Sequence, residues 1–224
     1  MNWMAIWVTC KLATLTSLTL LIIGLPIAYW LTYSKWRWKF LIESIVALPL
    51  VLPPTVLGFY ILIAIGPHSP IGRFYTDLVG HPLPFSFQGL LLASILYSLP
   101  FAVQPFATAF EQVDRKLIEA SWTLGLSKLK TFYRLILPLS TAGLITGIVL
   151  SFAHTLGEFG VVLMVGGNIE GITRTVSIEI YDEVQALNYA AAAKTSALLL
   201  LVSYTVLLLV YAMSRRVWSV WPQK

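Results

Sequence analysis

Long apolar stretches alternate with shorter polar segments along the chain, and this alternation predicts its secondary structure. Five stretches are long enough to cross a bilayer as helices, covering residues 12–31, 40–65, 89–110, 139–165 and 190–213. A spanning helix needs about 20 apolar residues and satisfies its own backbone hydrogen bonds in lipid. Membrane-spanning β-strands are shorter and alternate in polarity. The pattern therefore predicts an all-α, polytopic membrane protein with five transmembrane helices.

Composition supports this class and excludes others. Of the 224 residues, 58% are hydrophobic and only 11% are charged, whereas about 25% of the residues in soluble domains are charged. The same apolar excess excludes an intrinsically disordered chain. A disulfide scaffold is excluded because Cys10 has no cysteine partner. Without an internal repeat, residues 1–224 are interpreted as one membrane domain embedded in the lipid bilayer.

Basic residues predict the orientation of the chain, because Lys and Arg collect in cytoplasmic loops. The polar segments on one side of the membrane, 32–39, 111–138 and 214–224, contain eleven basic residues. The segments on the opposite side, 66–88 and 166–189, contain two. The N-terminus is therefore expected outside the cytoplasm and the C-terminus inside. The same rule explains the net charge of +5 without a nucleic-acid partner.

The segment 111–138 is the long loop on the predicted cytoplasmic side, and its pattern predicts a helical hairpin. Val113, Leu117, Ala120 and Leu124 recur at close to helical spacing. Gly125 suits the left-handed end of that helix. A second helical period then leads into the fourth apolar stretch: Leu129, Phe132, Tyr133 and Ile136. The pattern alone leaves open whether this hairpin is purely structural or docks on a partner.

The hairpin resembles the EAA loop of bacterial ABC-importer permeases. The residues at the motif's spacing are Glu119, Ala120, Ser121, Gly125, Leu135, Leu137 and Pro138. Ser121 and Leu135 stand where the motif has Ala and Ile, and both substitutions are close in size or polarity. The resemblance implies a type I ABC-importer permease fold, in which this coupling loop docks on a separate ATPase subunit. Ala120 and Ser121 are small enough for a close approach to that partner.

The resemblance also implies that this chain is not an enzyme and needs no cofactor, since ATP hydrolysis belongs to the other subunit. In agreement, the sequence has no phosphate-binding G-x-x-x-x-G-K-[ST] loop. His68, His81 and His154 are far apart in sequence, so no metal site is predicted.

Two further stretches are similar to the permease subunit of molybdate importers, and more loosely to sulfate and thiosulfate permeases. They are LPLVLPPTVLGF at 48–59 and SFAHTLGEFG at 151–160, which GGNIEGITRTV follows at 166–176. The resemblance implies a homodimer in the bacterial inner membrane, two ATP-binding ABC ATPase subunits and an external molybdate-binding protein. Tungstate and sulfate stay open as alternative anions. A non-ABC channel and a membrane-embedded enzyme are alternatives of other classes, which the loop motif disfavours.

Polar residues near the spans are candidates for the anion pathway, because a solvated dianion cannot cross hydrocarbon without a polar route. Hydroxyl groups would bind an anion loosely enough to release it, and the candidates are Thr55, Ser98, Ser151 and Thr155. The prolines of the second stretch are interpreted as the cause of a packing kink, in preference to a direct role in gating.

Three charged or ionisable residues complete the candidates. Glu158 repels an anion, so we expect a structural role near the outer gate, and its spacing from His154 allows an ion pair one helical turn apart. Arg174 has the charge that attracts an anion to the outer mouth, although a surface arginine fits the pattern equally well.

Gly143 and Gly147 form G-x-x-x-G, which predicts a helix-packing seam.

Overall fold

The computed structural model describes residues 2–219. Met1 and residues 220–224, which include Lys224 of the predicted cytoplasmic tail, lie outside the described residues. The described chain forms α1 (Trp3–Tyr33), α2 (Lys39–Val51), α3 (Pro54–Ile65), α4 (Pro70–Val79), α5 (Phe87–Glu111), α6 (Arg115–Thr123), α7 (Lys128–Thr131), α8 (Leu137–Leu139), α9 (Thr141–Gly157), α10 (Gly160–Gly166), α11 (Val176–Gln185) and α12 (Tyr189–Ser219). A π-helical turn, Phe132–Ile136, joins α7 to α8. This all-helical architecture confirms the predicted fold class.

Among residues 2–219, three helices are individually long and apolar enough to span a membrane, namely α1, α5 and α12. Two bent helix pairs raise the number of candidate spans to five, if each pair counts as one. The first span begins at Trp3 rather than at residue 12. Asn2 caps it, since its side-chain oxygen accepts hydrogen bonds from the backbone N–H groups of Met4 and Ala5 at 3.0 and 3.3 Å. The hydroxyl of Thr9 donates to the carbonyl of Ala5, so this polar residue is accommodated within the helix.

The second predicted stretch is broken between α2 and α3, which bend by 118°. Two consecutive prolines, Pro53 and Pro54, cause the break. A residue that precedes proline is kept out of the helical conformation, and Leu52 is extended, with ψ at 136°. The proline kink expected from the sequence is therefore a complete interruption of the helix.

The fourth stretch was expected to be one helix over 139–165, and this is wrong. The helix α9 ends at Gly157, Glu158 is extended with ψ at 130°, and α10 starts at Gly160. A 73° bend separates α9 from the preceding α7–α8 segment. The apolar run continues through both interruptions, so hydrophobicity alone does not reveal them.

The two half-helices that follow these breaks pack directly on each other. A Cβ atom added to Gly160 would lie 2.7 Å from Cβ of Pro54, and one added to Gly58 would lie 2.8 Å from Cβ of Met164. Atoms that close must shift, so only glycine permits the observed approach of α3 to α10. The breaks of the second and fourth stretches are therefore parts of one packed unit.

The helix α5 lies at the centre of the fold, against α1 on one side and α9 on the other. Phe106 and Phe110 of α5 are fully buried in the main core cluster. A Cβ atom added to Gly147 of α9 would lie 3.0 Å from the carbonyl oxygen of Ala102, and Gly143 abuts Ala109. This contact confirms the helix-packing seam predicted from Gly143 and Gly147.

The bundle has two distinct ends. At one, the backbone N–H of Asn2 donates to Glu179 of α11 at 3.2 Å, and the ammonium of Lys11 lies 4.2 Å from the ring centroid of Phe87 at the start of α5. At the other, the Tyr33 hydroxyl donates to the carbonyl of Phe110 near the end of α5. We call these the N-terminal end and the hairpin end, since α6 and α7 follow α5 at the latter.

Candidate functional site

The first helix of the hairpin has defined caps at both ends. Asp114 accepts a hydrogen bond from the backbone N–H of Lys116 at 2.8 Å. After α6 the chain reverses at Gly125, whose φ is +82°. The N–H groups of Gly125 and Leu126 donate to the carbonyls of Trp122 and Ser121 at 2.9 and 3.0 Å, which is a Schellman cap. The predicted left-handed turn at Gly125 is confirmed.

The faces of α6 differ from the predicted arrangement. The residues of α6 buried against the rest of the chain are Ile118 and Ser121, whereas Leu117 is 49% exposed and Leu124, just beyond the helix, is 81% exposed. Glu119 and Ala120 are exposed as well. The predicted apolar stripe therefore lies open on the surface, apart from Val113, which is buried before the helix begins.

The small size of Ser121 suggested that it faces a partner, but its side chain points into the hairpin. Its hydroxyl donates to the carbonyl of Ile118 at 2.7 Å and lies 2.9 Å from the hydroxyl of Thr131 on α7. Both hydroxyls are buried. Ser121 therefore joins the two helices of the hairpin, and of the three consecutive motif residues 119–121 only Glu119 and Ala120 are open to a partner.

The second helix anchors the hairpin to the bundle. The ring centroid of Phe132 lies 5.1 Å from that of Tyr29 on α1, with the rings edge to face. Pro138 has no N–H to complete the helical ladder, and the N–H of Leu137 bonds to the carbonyl of Phe132, five residues back. Leu135 and Leu137 are half-buried beside this π-helical turn. These residues fix the angle at which the chain re-enters the bundle.

Three of the predicted pathway hydroxyls belong to the interior of the protomer. Ser98 on α5 lies 3.0 Å from the hydroxyl of Thr155 on α9, and Thr155 donates to the carbonyl of Ser151. The exposed fraction of each of these side chains is 1% or less. Within one protomer they are contacts between helices, and their role in the pathway stays a prediction.

The expected pair of His154 and Glu158 does not form, and that interpretation is wrong. The Nδ1 atom of His154 lies 2.9 Å from the Ser98 hydroxyl, and its ring stacks on Phe101 with centroids 3.9 Å apart. Glu158 is at the break after α9, only 4% exposed. Within the described residues, neither of its carboxyl oxygens has a hydrogen-bond partner, and the same is true of the buried hydroxyl of Ser94.

The remaining two candidates lie on the surface. Thr55 is exposed in the first turn of α3, directly after the proline break. Arg174 lies at the N-terminal end of the bundle, where its Nε donates to the side chain of Asn168 at 2.6 Å. Its guanidinium is 3.9 Å from Glu170 and 4.0 Å from Asp182. The positive charge expected at the outer mouth is thus already offset by two carboxylates.

One groove that carries several polar side chains among apolar ones was missed in the sequence. A groove of about 400 Å³ lies between α2, α5 and α9 toward the hairpin end, and Gln104, Thr108 and Gln112 line it with Thr146. Gln104 and Thr108 are four positions apart and share one face of α5, and Gln112, four positions further on, caps the end of that helix. Amide and hydroxyl side chains at that spacing inside a predicted span are the signal that points to this groove.

The comparisons with known proteins now decide the family. Residues 21–219 match the family described as the binding-protein-dependent transport system inner membrane component. The chain belongs to this family. It is therefore an inner membrane component of a transport system and not an enzyme.

Curated relatives are similar along most of their length. The molybdenum transport system permease protein ModB of Azotobacter vinelandii is 50% identical over 212 residues, which cover 95% of this chain and 93% of the relative. The ModB protein of Escherichia coli K12 is 38% identical over 82% of this chain and 80% of its own length. A probable sulfate transport system permease protein, cysT of Chlorella vulgaris, is 34% identical over 91% of this chain and 76% of its own length.

Solved structures share the fold. An inward-facing MetNI methionine ABC transporter matches with a TM-score of 0.73 at 18% identity, covering 95% of this chain and 94% of the matched chain. A bacterial ABC transporter that imports alginate matches with a TM-score of 0.72 at 18% identity, covering 95% and 78%. These likenesses confirm the type I ABC-importer permease fold.

Proposed function

We propose that this chain is the transmembrane subunit through which an ATP-driven importer moves molybdate across the bacterial inner membrane. The observation that carries this proposal is the 50% identity, over 95% of the chain, to a molybdenum transport permease. A permease with that similarity, and with a coupling-loop motif that departs from the family's only at Ser121 and Leu135, fits an importer better than a channel or an enzyme, neither of which needs the loop.

The partner for the hairpin is an ABC ATPase subunit. Leu117 and Leu124 offer an open apolar surface, and exposed apolar patches of this kind are typical of protein–protein contact sites. Ala120 leaves room between them, and the carboxylate of Glu119 suits a basic or amide group on the partner. Pro138, with Leu135 and Leu137, holds the loop at a fixed angle to the bundle. A displacement of α6 by the ATPase therefore displaces α9 as well.

The assembly we infer has two copies of this chain, two ATPase subunits and an external molybdate-binding protein. The hairpin end then faces the cytoplasm and the N-terminal end faces the binding protein, as the distribution of basic residues predicts. The anion passes between the two copies, with Thr55, Ser98, Ser151, Thr155, Glu158 and Arg174 as residues of its pathway or gate. Glu158 acts there as a structural group at the helix break, since a carboxylate repels a dianion.

Transport of radiolabelled molybdate tests this function. The chain, its ATPase and its binding protein are reconstituted in liposomes. Uptake is measured once with ATP inside the liposomes and once with ATP outside them. We expect uptake only with ATP on the ATPase side, with tungstate as a strong competitor and sulfate as a weak one. Equal uptake without ATP would point to a channel, and stronger competition by sulfate than by tungstate would reassign the substrate to sulfate, as in the cysT relative.

A further inference from the structure

Near the hairpin end, the open side of α5 bears the polar residues Gln104 and Thr108, whereas Leu92 and Leu96 are the exposed residues nearer its start, and the helix as a whole is apolar enough to span the membrane. The opposite face of α5, with Ala102 and Phe106, is fully buried in the bundle. Lipid tails offer no hydrogen-bond partner, so polar side chains in a span face protein or a water-filled cavity. The open face of α5 is therefore expected to border water or a second copy rather than lipid.

From these observations we propose that the α5 groove, defined by Gln104, Thr108, Gln112 and Thr146, is the hairpin-end half of the oxyanion's route. This inference rests on the proposed function. It adds to the buried hydroxyls of Ser98 and Thr155 a set of neutral groups at the hairpin end, most of them open to solvent.

The chemistry of the groove suits a dianion in transit. The carboxamide N–H groups of Gln104 and Gln112 donate hydrogen bonds, and the hydroxyls of Thr108 and Thr146 are further donors. No residue that lines the groove is charged. Hydrogen bonds between neutral donors and an anion are weaker than those from Arg or Lys, so the anion is guided without being held.

The dimensions of the groove agree with this role. Gln112 is the cap residue of α5, eight residues after Gln104, so the donors extend over about 12 Å along the helix axis. A volume of about 400 Å³ leaves room for a tetrahedral oxyanion with part of its water shell. Apolar residues close the sides, including Leu50 of α2 and Leu150 of α9.

Charge at the hairpin end adds an independent argument. The groove ends at Gln112, immediately before the hairpin, whose segment 111–138 holds five basic residues and three acidic ones. A net positive surface beyond a neutral groove draws an anion along it and raises its rate of exit. The acidic residues Glu170 and Asp182 lie instead around Arg174 at the opposite end of the bundle.

Uptake by the reconstituted complex tests the groove with a nearly isosteric change. Gln104→Glu replaces an amide donor with a carboxylate that only accepts, and repulsion of the dianion is expected to lower molybdate uptake by roughly tenfold or more. Gln185→Glu makes the same change on α11 and is expected to leave uptake unaltered. Thr108→Val should lower uptake less than Gln104→Glu does. Thr205→Val on α12 should leave uptake unaltered. Wild-type uptake in Gln104→Glu, with normal basal ATPase activity, would overturn the assignment.

A thiol-labelling experiment keeps the test independent of transport. In a Cys10→Ser background, which removes the only cysteine, Gln104→Cys is exposed to a negatively charged methanethiosulfonate reagent. We expect rapid labelling that excess molybdate slows. The control is Ile22→Cys on α1, a residue 72% exposed on the apolar surface, where no labelling is expected.

The outcomes separate the two proposals. Labelling of Gln104→Cys without any wild-type molybdate uptake would retain a water-filled groove and reject the proposed function. Wild-type uptake with no labelling at Gln104→Cys would reject the groove as the route.

Discussion

The hairpin of α6 and α7 and the helix break at Glu158 are built in opposite ways. The hairpin is stabilised by local hydrogen bonds, in which Leu126 bonds five residues back to Ser121. The break has no local cap of that kind, and it depends on the contact of Gly160 with Pro54, which is more than a hundred residues away in sequence. A locally stabilised hairpin can move as one rigid piece, whereas a break that depends on packing against a distant helix can change when the two helices shift relative to each other.

Gly125→Val is expected to have the largest effect, because it changes the turn of the hairpin between α6 and α7. A β-branched residue at φ +82° carries a strain of about 1–3 kcal/mol, although the added Cβ atom would have no neighbour within 4 Å. We expect loss of substrate-stimulated ATPase activity and of uptake, with normal insertion in the membrane. The matched control is Gly80→Val, since Gly80 has φ +84° and equally open space at the end of α4. Equal loss of coupling in both variants would reduce the effect to general instability.

Gly160→Ala tests the distant contact. Its Cβ atom would meet Pro54 at 2.7 Å, and overpacking of this kind costs about 1–3 kcal/mol. Gly157→Ala, on the other side of Glu158, would meet nothing within 4 Å and should be neutral or slightly stabilising. Thermal unfolding of the purified protein in detergent measures the difference. A melting temperature that falls equally in both variants would argue against a close α3–α10 contact.

The sequence predicted the hairpin well and the break poorly, for a physical reason. The turn at Gly125 depends on residues close in sequence, whose spacing can be recognised directly. The end of α9 at Gly157 depends on how two half-helices fit together, and an apolar stretch has the same pattern whether or not it is interrupted. His154 illustrates the same limit, because its spacing allowed a pair with Glu158 while its actual partners, Ser98 and Phe101, are on α5.

Arg174→Ala should have a smaller effect, at the N-terminal end. Removing the guanidinium leaves Glu170 and Asp182 without the cation that lies 3.9–4.0 Å away. We expect slower molybdate uptake at low salt, with a defect that shrinks at high salt because screening shortens the reach of exposed charges. Arg73→Ala removes the other arginine of the segments predicted to lie outside the cytoplasm and serves as the control. Uptake that is unchanged at low salt would show that Arg174 has no role in attracting the anion.

Ser121→Ala should have the smallest effect. It removes the contact of 2.9 Å with the Thr131 hydroxyl, and a hydrogen bond of this type contributes about 1 kcal/mol. The rate of proteolytic cleavage in the hairpin should rise several-fold, with uptake close to normal. Thr123→Ala removes only a local bond to Ala120 and should leave the cleavage rate unaltered. If both variants are cleaved at the wild-type rate, Ser121 does not join the two helices.

Retention of the ATPase subunit during purification shows whether the open face of the hairpin couples this permease to ATP hydrolysis. Leu124→Asp places a charge on a side chain that is 81% exposed, and Leu187→Asp does the same at a residue that is 72% exposed at the N-terminal end. After purification of each variant in mild detergent, we expect the ATPase to be lost with Leu124→Asp and retained with Leu187→Asp. Full retention with Leu124→Asp would contradict the account.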